Sequence, residues 1–341
     1  MAHTELYAAA AAGKLREVPP ESLTAENLRA PNPSGNTPLH AAAKQGGLKD
    51  LPAGLLTVDL FTVKNVAGYT PLHHAAIGGH LDQLPPELLT LETLSWRSNA
   101  GYTVFHLAAA HGHLAQIPAR LLTLEIVLGK TDVGNTLLHE AAEKGTLDRM
   151  PKEYITAQNF AQRNLGGETV LHVAAFNGHL DQVPRELLTT AAMRETTSAG
   201  DTVFHAAAIA GHLKQVPGEL LTEENLVLAS KSGFTAIHAA AETGQLDQIP
   251  PAQLTTVLLQ TRNDNGDTPL HAAAYEGHLD QVPPRLLTRE AMATRNFDGI
   301  AVARIALDRG FLGQIPEASR PKSVGPVRRA LHRLGRMKLP F

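Results

Sequence analysis

Histidine is the residue type in this sequence with the greatest capacity for chemistry, since an imidazole can bind a metal ion or transfer a proton near neutral pH. The 341-residue chain contains 17 histidines. Eight recur at intervals of 33 residues: His40, His73, His106, His139, His172, His205, His238 and His271. Five more follow members of this series by seven residues: His80, His113, His179, His212 and His278. Because members of the first series lie a full unit apart, they cannot share one metal ion at about 2 Å. We interpret both series as structural.

Other candidates for chemistry are sparse. His73 and His74 form the only adjacent histidine pair, and His111 and His113 flank a glycine, so either pair offers at most a chance metal contact. No G-x-S-x-G, phosphate-loop or H-E-x-x-H sequence occurs. Cysteine is absent, which excludes disulfides, thiol nucleophiles and cysteine-bound metal clusters. We predict that the chain is not an enzyme and that it binds no metal and no cofactor.

The histidines belong to a 33-residue repeat that organises nearly the whole chain. A phrase of Gly, any residue, Thr, two residues and His begins at Gly35, Gly68, Gly101, Gly134, Gly167, Gly200, Gly233 and Gly266. The register extends back to Ala2 and forward to Gly299, which gives ten copies. Counted from Gly35 and its equivalents, four offsets are invariant: alanine at +7, glycine at +11, leucine at +13 and proline at +17. A fixed period of this length indicates a repeat array.

The invariant residues fit a helical hairpin. The threonine at +2 can cap a helix through its hydroxyl, and the glycine at +11 can end it in a left-handed conformation. The run T-P-L-H-A-A-A-Y-E-G-H at residues 268–278 resembles the ankyrin repeat, whose 33-residue unit carries a T-P-L-H-x-A signature. This resemblance covers roughly residues 2–317. It implies an all-α, curved solenoid of about ten 33-residue helix-turn-helix repeats.

The second half of each repeat departs from the ankyrin pattern. That family usually continues into an uninterrupted second helix, whereas here the proline at +17 intervenes, as in L-D-Q-L-P-P-E-L-L-T at residues 81–90. Because proline inside a helix costs about 3 kcal/mol, we predict that each one opens a short second helix. The threonine at +22 is then expected to cap a further helical turn. A leucine-rich repeat is the weaker alternative, since its period is shorter and its L-x-L-x-x-N phrase does not occur.

The two ends of the array differ from its middle. The first copy lacks the turn glycine and the histidine, and the last has Ile300-Ala-Val-Ala-Arg304 in place of the signature. Solenoids need capping repeats at both ends. We therefore predict an N-terminal capping repeat at residues 1–34, eight ankyrin-like repeats at 35–298, a C-terminal capping repeat at 299–317 and a basic tail at 318–341.

The resemblance implies that a partner binds the concave face, which carries the turn tips and the inner side of the first helix at offsets −2, −1, +1, +9 and +10. Five of the 15 aromatic residues fall on these offsets, and aromatic side chains are favoured interface anchors. The alternative is that these rings only pack on the next repeat. The predicted partner-binding residues are Tyr69, Tyr102, His111, Glu143, Lys144, Glu168, Phe176, Asp201, Phe234, Asp267, Tyr275 and Glu276. Their mildly acidic balance favours a partner with basic character and disfavours nucleic acid.

The tail is strongly basic, although the chain has a net charge of −3. Its candidate contact residues are Arg328, Arg329, Arg333, Arg336 and Lys338. Pro326 is suited to open an amphipathic helix there. Three interpretations remain open: the tail covers the last repeat, contacts nucleic acid or an anionic membrane, or clamps onto the acidic body.

We predict a monomeric, non-enzymatic scaffold that binds an unidentified protein on its concave face. The alternative is a recruiter to nucleic acid or an anionic membrane through the tail, with the repeats as a spacer. No apolar run approaches the ~18 residues of a membrane span, and no basic region precedes the alanines at 8–12. We therefore expect a cytoplasmic protein. Many ankyrin-repeat chains are bacterial effectors, an analogy that rests on the fold alone.

Overall fold

A computed structural model describes residues 3–320, and over that range the chain is helical without any β-strand. The inner helices are α1 (His3–Ala11), α3 (Pro38–Gln45), α5 (Pro71–Gly78), α7 (Val104–Ala110), α9 (Leu137–Lys144), α11 (Val170–Asn177), α13 (Val203–Ala210), α15 (Ala236–Glu242), α17 (Pro269–Glu276) and α19 (Val302–Asp308). The outer helices are α2 (Ala25–Arg29), α4 (Val58–Phe61), α6 (Leu91–Leu94), α8 (Leu124–Val127), α10 (Ala157–Phe160), α12 (Thr190–Met193), α14 (Glu223–Leu226), α16 (Thr256–Gln260) and α18 (Arg289–Ala293). Each inner helix packs against the next, from α1 to α19. The predicted all-α solenoid is confirmed.

Helix α3 shows why each repeat forms its inner helix. The Thr37 hydroxyl accepts a hydrogen bond from the His40 backbone N–H at 3.4 Å, and the His40 ring accepts one from the Thr37 N–H at 3.2 Å. Pro38 occupies the first helical position, where its missing N–H leaves nothing unpaired. Gly46 ends the helix with φ of 76°, the left-handed region that favours glycine. The fully buried Ala42 lets the neighbouring helices approach closely.

The short second helix predicted to open at each proline is present in most repeats, where it is a three-residue 3-10 turn. A second 3-10 turn, which was not predicted, precedes the proline. The turns before the proline are Leu15–Glu17, Leu48–Asp50, Leu81–Gln83, Leu114–Gln116, Leu147–Arg149, Leu180–Gln182, Leu213–Gln215, Leu246–Gln248, Leu279–Gln281 and Leu312–Gln314. The turns after it are Pro20–Ser22, Ala53–Leu55, Pro86–Leu88, Ala119–Leu121, Lys152–Tyr154, Arg185–Leu187, Gly218–Leu220, Pro284–Leu286 and Glu317–Ser319.

The backbone at Pro184 explains why two separate turns form. Pro184 has φ −54° and ψ 135°, and the preceding Val183 has φ −85° and ψ 129°, so both residues are extended. A proline pushes the preceding residue out of the helical region, which ends the first turn before the second begins. The predicted threonine cap is confirmed, since the Thr288 hydroxyl accepts the Ala291 N–H at 3.1 Å at the start of α18.

A row of glutamines at offset +15 joins the outer 3-10 turns of successive repeats. The Gln215 side-chain amide donates to the Gly178 carbonyl at 2.6 Å and accepts the Leu180 N–H at 3.0 Å. The same pair of bonds is made by Gln116, Gln182, Gln281 and Gln314. These bonds satisfy backbone groups at the start of each outer segment, where the first N–H groups of a helix have no partner within it.

Replacing Gln215 with alanine is expected to destabilise the protein by about 1–3 kcal/mol, because it leaves the Gly178 carbonyl and the Leu180 N–H unpaired in a partly buried place. Urea unfolding followed by circular dichroism measures the loss. Gln158→Ala is the matched control, since Gln158 is exposed on α10. Equal losses in the two variants would show that the glutamine bonds contribute nothing.

Candidate functional site

The turns that precede the inner helices are held by a polar side chain at offset −3. The Asn65 side-chain oxygen accepts the Tyr69 N–H at 2.9 Å, and the Ser98 hydroxyl accepts the Tyr102 N–H at 3.1 Å. Gly68 turns the chain with φ of 80°. The residue at offset +1 is therefore fixed at each turn tip. We name the turn tips and the exposed side of the inner helices the inner surface. It carries the offsets that were predicted to lie on the concave face.

The first histidine series fixes the same residues from the other side. The His40 Nε2 donates to the Tyr69 carbonyl at 3.0 Å, and the His73 Nε2 donates to the Tyr102 carbonyl at 3.1 Å. Each ring accepts the Thr N–H at Nδ1, so the proton lies on Nε2. His139, His172, His205 and His238 bind the carbonyls of Glu168, Asp201, Phe234 and Asp267 in the same way. These bonds confirm the structural interpretation of the series.

The predicted aromatic residues lie on the inner surface but are only partly accessible. Tyr69, Tyr102, Phe234 and Tyr275 are partly buried and pack against the core. Phe176 is partly buried on α11. The Arg309 guanidinium lies over the Tyr275 ring, 3.6 Å from its centroid. These rings therefore contribute to packing, and each leaves an accessible fraction; their role in binding a partner stays a prediction.

The predicted charged residues divide into accessible and buried ones. His111, Lys144 and Glu276 are exposed, and Glu143, Glu168 and Asp201 are partly buried. Lys144 forms a salt bridge with Glu143 at 2.5 Å.

The structure corrects the predicted position of Asp267, which was expected on the partner-binding surface. It is only 5% exposed, and its carboxylate accepts the Asn296 side-chain N–H at 2.8 Å. That bond draws the carboxylate into the contact with the next repeat. Asp267 is therefore not available on the inner surface.

Glu140 is an unusual residue that the sequence analysis missed. It lies on α9 at offset +6, is 2% exposed, and accepts the Asn135 side-chain N–H at 3.0 Å. Burial raises the pKa of Glu140 to about 7. Burial also raises the pKa of the neighbouring Tyr102 to about 12, with a further contribution from the negative charge of Glu140. A carboxyl group at an offset where the other repeats carry mainly small or aliphatic residues was the signal in the sequence.

His74 breaks the pattern at the same offset, two repeats earlier. Its Nδ1 is buried without a hydrogen-bond partner among the described residues. Its ring lies edge-on to His40, with centroids 5.1 Å apart, and near Tyr69 at 6.3 Å. Burial, followed by the charges of His40 and Lys44, lowers the pKa of His74 to about 3. His74, Tyr69, Tyr102 and Glu140 thus form a patch on successive repeats, in which His74 and Glu140 interrupt the regular framework at offset +6.

Exposed apolar turn tips also belong to this surface, and the prediction named their offsets but not the residues. Val66, Val133, Leu165 and Phe297 are exposed at offsets −2 or −1. Leu165 is 77% exposed, and its N–H donates to the Val133 carbonyl at 3.0 Å, which places these two apolar tips side by side.

Replacing Glu140 with glutamine should change the pH dependence of stability. The folded pKa, about 7, lies above the ordinary value of 4.5. The stability of the wild-type protein therefore falls as pH rises from 4.5 through 7, because the buried carboxyl must lose its proton. The variant lacks this loss, so its stability relative to wild type should rise by about 3 kcal/mol at most between pH 4.5 and 8. Urea unfolding at several pH values measures the difference; a difference that stays constant would contradict the assignment.

Several other features bear on function. Among residues 3–320, no three His, Cys, Asp or Glu side chains are placed to hold a metal ion. No helix in that range is long and apolar enough to cross a membrane. The predicted tail residues Arg328, Arg329, Arg333, Arg336 and Lys338 lie outside the described residues.

Comparison with protein families gives a direct result. A model of three ankyrin repeats matches residues 171–250, and a model of a single ankyrin repeat matches residues 265–294. The matches indicate no catalytic family. No curated protein matches the chain.

Proposed function

This chain is an ankyrin-repeat protein, and we propose that it binds a partner protein, without catalysis, on the inner surface. Ankyrin repeats generally mediate protein–protein interaction. The observation that supports this choice of surface is the patch of His74, Tyr69, Tyr102 and Glu140. His74 and Glu140 depart from the repeat framework at offset +6, where the other repeats carry small or aliphatic side chains. Tyr69 and Tyr102 lie beside them at the variable offset +1.

The rigidity of this surface supports the proposal. The turn tips at Tyr69 and Tyr102 are each held by the offset −3 side chain and by a histidine of the preceding repeat. A surface that is already ordered loses little conformational entropy when a partner binds. The partly exposed rings of Tyr69 and Tyr102 can then contact a partner without first being ordered.

The charge of the inner surface indicates the chemistry of the partner. Its acidic side chains are Glu143, Glu168, Asp201, Glu242 and Glu276, and its basic ones include Lys44, Lys144 and Arg309. Part of this charge is already paired, as in the Glu143–Lys144 salt bridge. The unpaired remainder is acidic, so we propose a partner segment with basic character.

We also propose the division expected from the sequence, with capping repeats at 1–34 and 299–317, eight repeats at 35–298 and a separate basic tail at 318–341. In this division, binding belongs to the eight central repeats. The capping repeats shield the ends of the stack.

Affinity capture from lysate tests the proposal with three forms of the full chain. The test variant carries Tyr69→Ala, Tyr102→Ala, Phe176→Ala and Tyr275→Ala. The matched control carries Arg120→Ala, Glu153→Ala and Glu186→Ala, all exposed on outer turns. We expect capture of the partner to fall about tenfold or more in the test variant, since buried aromatic anchors contribute most of the binding energy. The control should bind like wild type.

Circular dichroism and thermal melting establish that the variants are folded before capture is compared. Equal capture by wild type and the four-aromatic variant would overturn the assignment to the inner surface. It would direct attention to the alternative of a recruiter that acts through the basic tail.

A further inference from the structure

The outer side of the stack carries a row of exposed aliphatic residues that the proposed function does not use. Val58, Leu91 and Leu124 are 43%, 51% and 50% exposed. They occupy offset +23 in three consecutive repeats and are the first residues of α4, α6 and α8. The next repeats carry Ala157 and Thr190 at this offset. We name Val58, Leu91 and Leu124 the outer stripe.

An acidic residue follows each member of the outer stripe. Asp59, Glu92 and Glu125 are all exposed. Asp59 pairs with Arg29, whereas Glu92 and Glu125 have no salt-bridge partner among the described residues. Acidic residues in the first turn of a helix are favourable by themselves. Three exposed aliphatic side chains in register have no such local explanation, and exposed apolar patches of this kind mark contact surfaces.

A segment of matching chemistry occurs in the same chain. Residues 326–338 contain five Arg or Lys residues, no Asp or Glu, and Val327, Leu331, Leu334 and Met337. The segment therefore matches the outer stripe in charge and in apolar character.

The segment cannot lie along the whole outer stripe of its own molecule. Arg320 lies six repeats beyond Leu124 and eight beyond Val58, separations of roughly 60 Å and 80 Å. Residues 321–338 span at most about 60 Å even when fully extended. Contact with the whole stripe therefore requires a second molecule.

We propose that the outer stripe binds residues 326–338 of a second copy of this chain. The contact joins different surfaces of the two molecules, so it leaves a free stripe and a free tail at the ends and permits growth beyond a dimer. This replaces the monomer expected from the sequence. It does not depend on the proposed function, because the outer helices are not part of the inner surface.

Sedimentation velocity of the full chain over a range of concentrations tests this inference. We expect the sedimentation coefficient of wild type to rise with concentration, and the rise to weaken at high salt. Leu91→Asp with Leu124→Asp should weaken association about tenfold or more. Arg329→Glu with Arg333→Glu and Arg336→Glu should do the same. Val257→Asp is the matched control, since Val257 is 61% exposed on α16 outside the stripe.

Exchanging the charges beside the outer stripe and in the tail tests whether the two segments contact each other directly. Glu92→Arg with Glu125→Arg should weaken association alone and restore it when combined with the three tail reversals. Circular dichroism of each variant establishes that it is folded. A wild-type chain that stays monomeric at every concentration would overturn the inference. Association that survives Leu91→Asp with Leu124→Asp, or that the charge exchange does not restore, would overturn it as well.

Discussion

Acidification from pH 7 to pH 4.5 is expected to destabilise this protein steeply, because unfolding releases buried histidines that bind protons only in the unfolded chain. Burial lowers the pKa of five members of the first series from 6.5 to about 4: His73, His106, His139, His172 and His238. Burial also lowers the pKa of His40, His205 and His271. Above pH 6.5 these histidines are neutral in both the folded and the unfolded chain, and the folded chain has its full stability. This stability is lost as pH falls below 6.5 and through the folded pKa of about 4.

The expected size follows from proton linkage. If five protons are taken up on unfolding, the free energy of unfolding changes by roughly 7 kcal/mol per pH unit where its pH dependence is steepest. Glu140 works in the opposite direction over the same range, because its folded pKa of about 7 lies above the ordinary 4.5. The balance of several histidines against one carboxyl leaves a net loss of stability on acidification.

Thermal melting at half-unit pH intervals, combined with calorimetry in buffers of different ionisation enthalpy, measures both the loss and the proton uptake. His172→Gln should reduce the uptake by about one proton, although it also removes the bond to the Asp201 carbonyl. His111→Gln is the control, since His111 is exposed and outside the series. A melting temperature that is flat between pH 6.5 and 4.5 would show that the histidines are not held neutral.

Replacing Gly145 with alanine is expected to be among the most damaging single substitutions. Gly145 ends α9 with φ of 70°, and an added Cβ would lie 2.7 Å from the His179 Nε2. His179 cannot move freely, because its Nδ1 donates to the Ala142 carbonyl at 2.8 Å. The left-handed conformation costs about 1–2 kcal/mol, and the displaced ring and its lost hydrogen bond add about 1–3 kcal/mol.

Comparison with Gly211→Ala isolates the second contribution, that of the displaced His179 ring. Gly211 ends α13 with φ of 89°, but an added Cβ would meet nothing within 4 Å. It should therefore show only the left-handed cost. Urea unfolding of the two variants gives the difference. Equal losses would mean that the rings of the second histidine series do not pack on the preceding repeat.

The sequence was sufficient for the inner layer of the fold. The threonine at +2 and the glycine at +11 act within one repeat, so their spacing alone predicts where α3 and α17 begin and end. In the outer layer, the proline at +17 and the threonine at +22 also act locally, and they predicted where the short helical segments begin, as at Pro184 and Thr288. The 3-10 turn before each proline was not predicted. Nor were the glutamine bonds between repeats, such as that of Gln215 to the Gly178 carbonyl, 37 residues earlier.

On the inner surface, too, the residues positioned by their own repeat were predicted correctly, and those positioned by a contact with another repeat were not. Tyr69 and Tyr102 were predicted at turn tips because the offset +1 is fixed within the repeat. Asp267 was misplaced because Asn296, 29 residues later, draws its carboxylate inward. Glu140 was not predicted because a carboxyl group at offset +6 occurs in one repeat only, whereas the predicted sites came from offsets compared across all repeats.

A photo-crosslinking amino acid at position 102, compared with the same amino acid at position 120, tests the central claim most directly. Tyr102 lies on the inner surface, and Arg120 is exposed on an outer turn. Irradiation of the full chain in lysate should yield a covalent adduct with a partner protein from position 102 and none from position 120. Adducts from position 120 alone, or equal adducts from both, would contradict the assignment of partner binding to the inner surface.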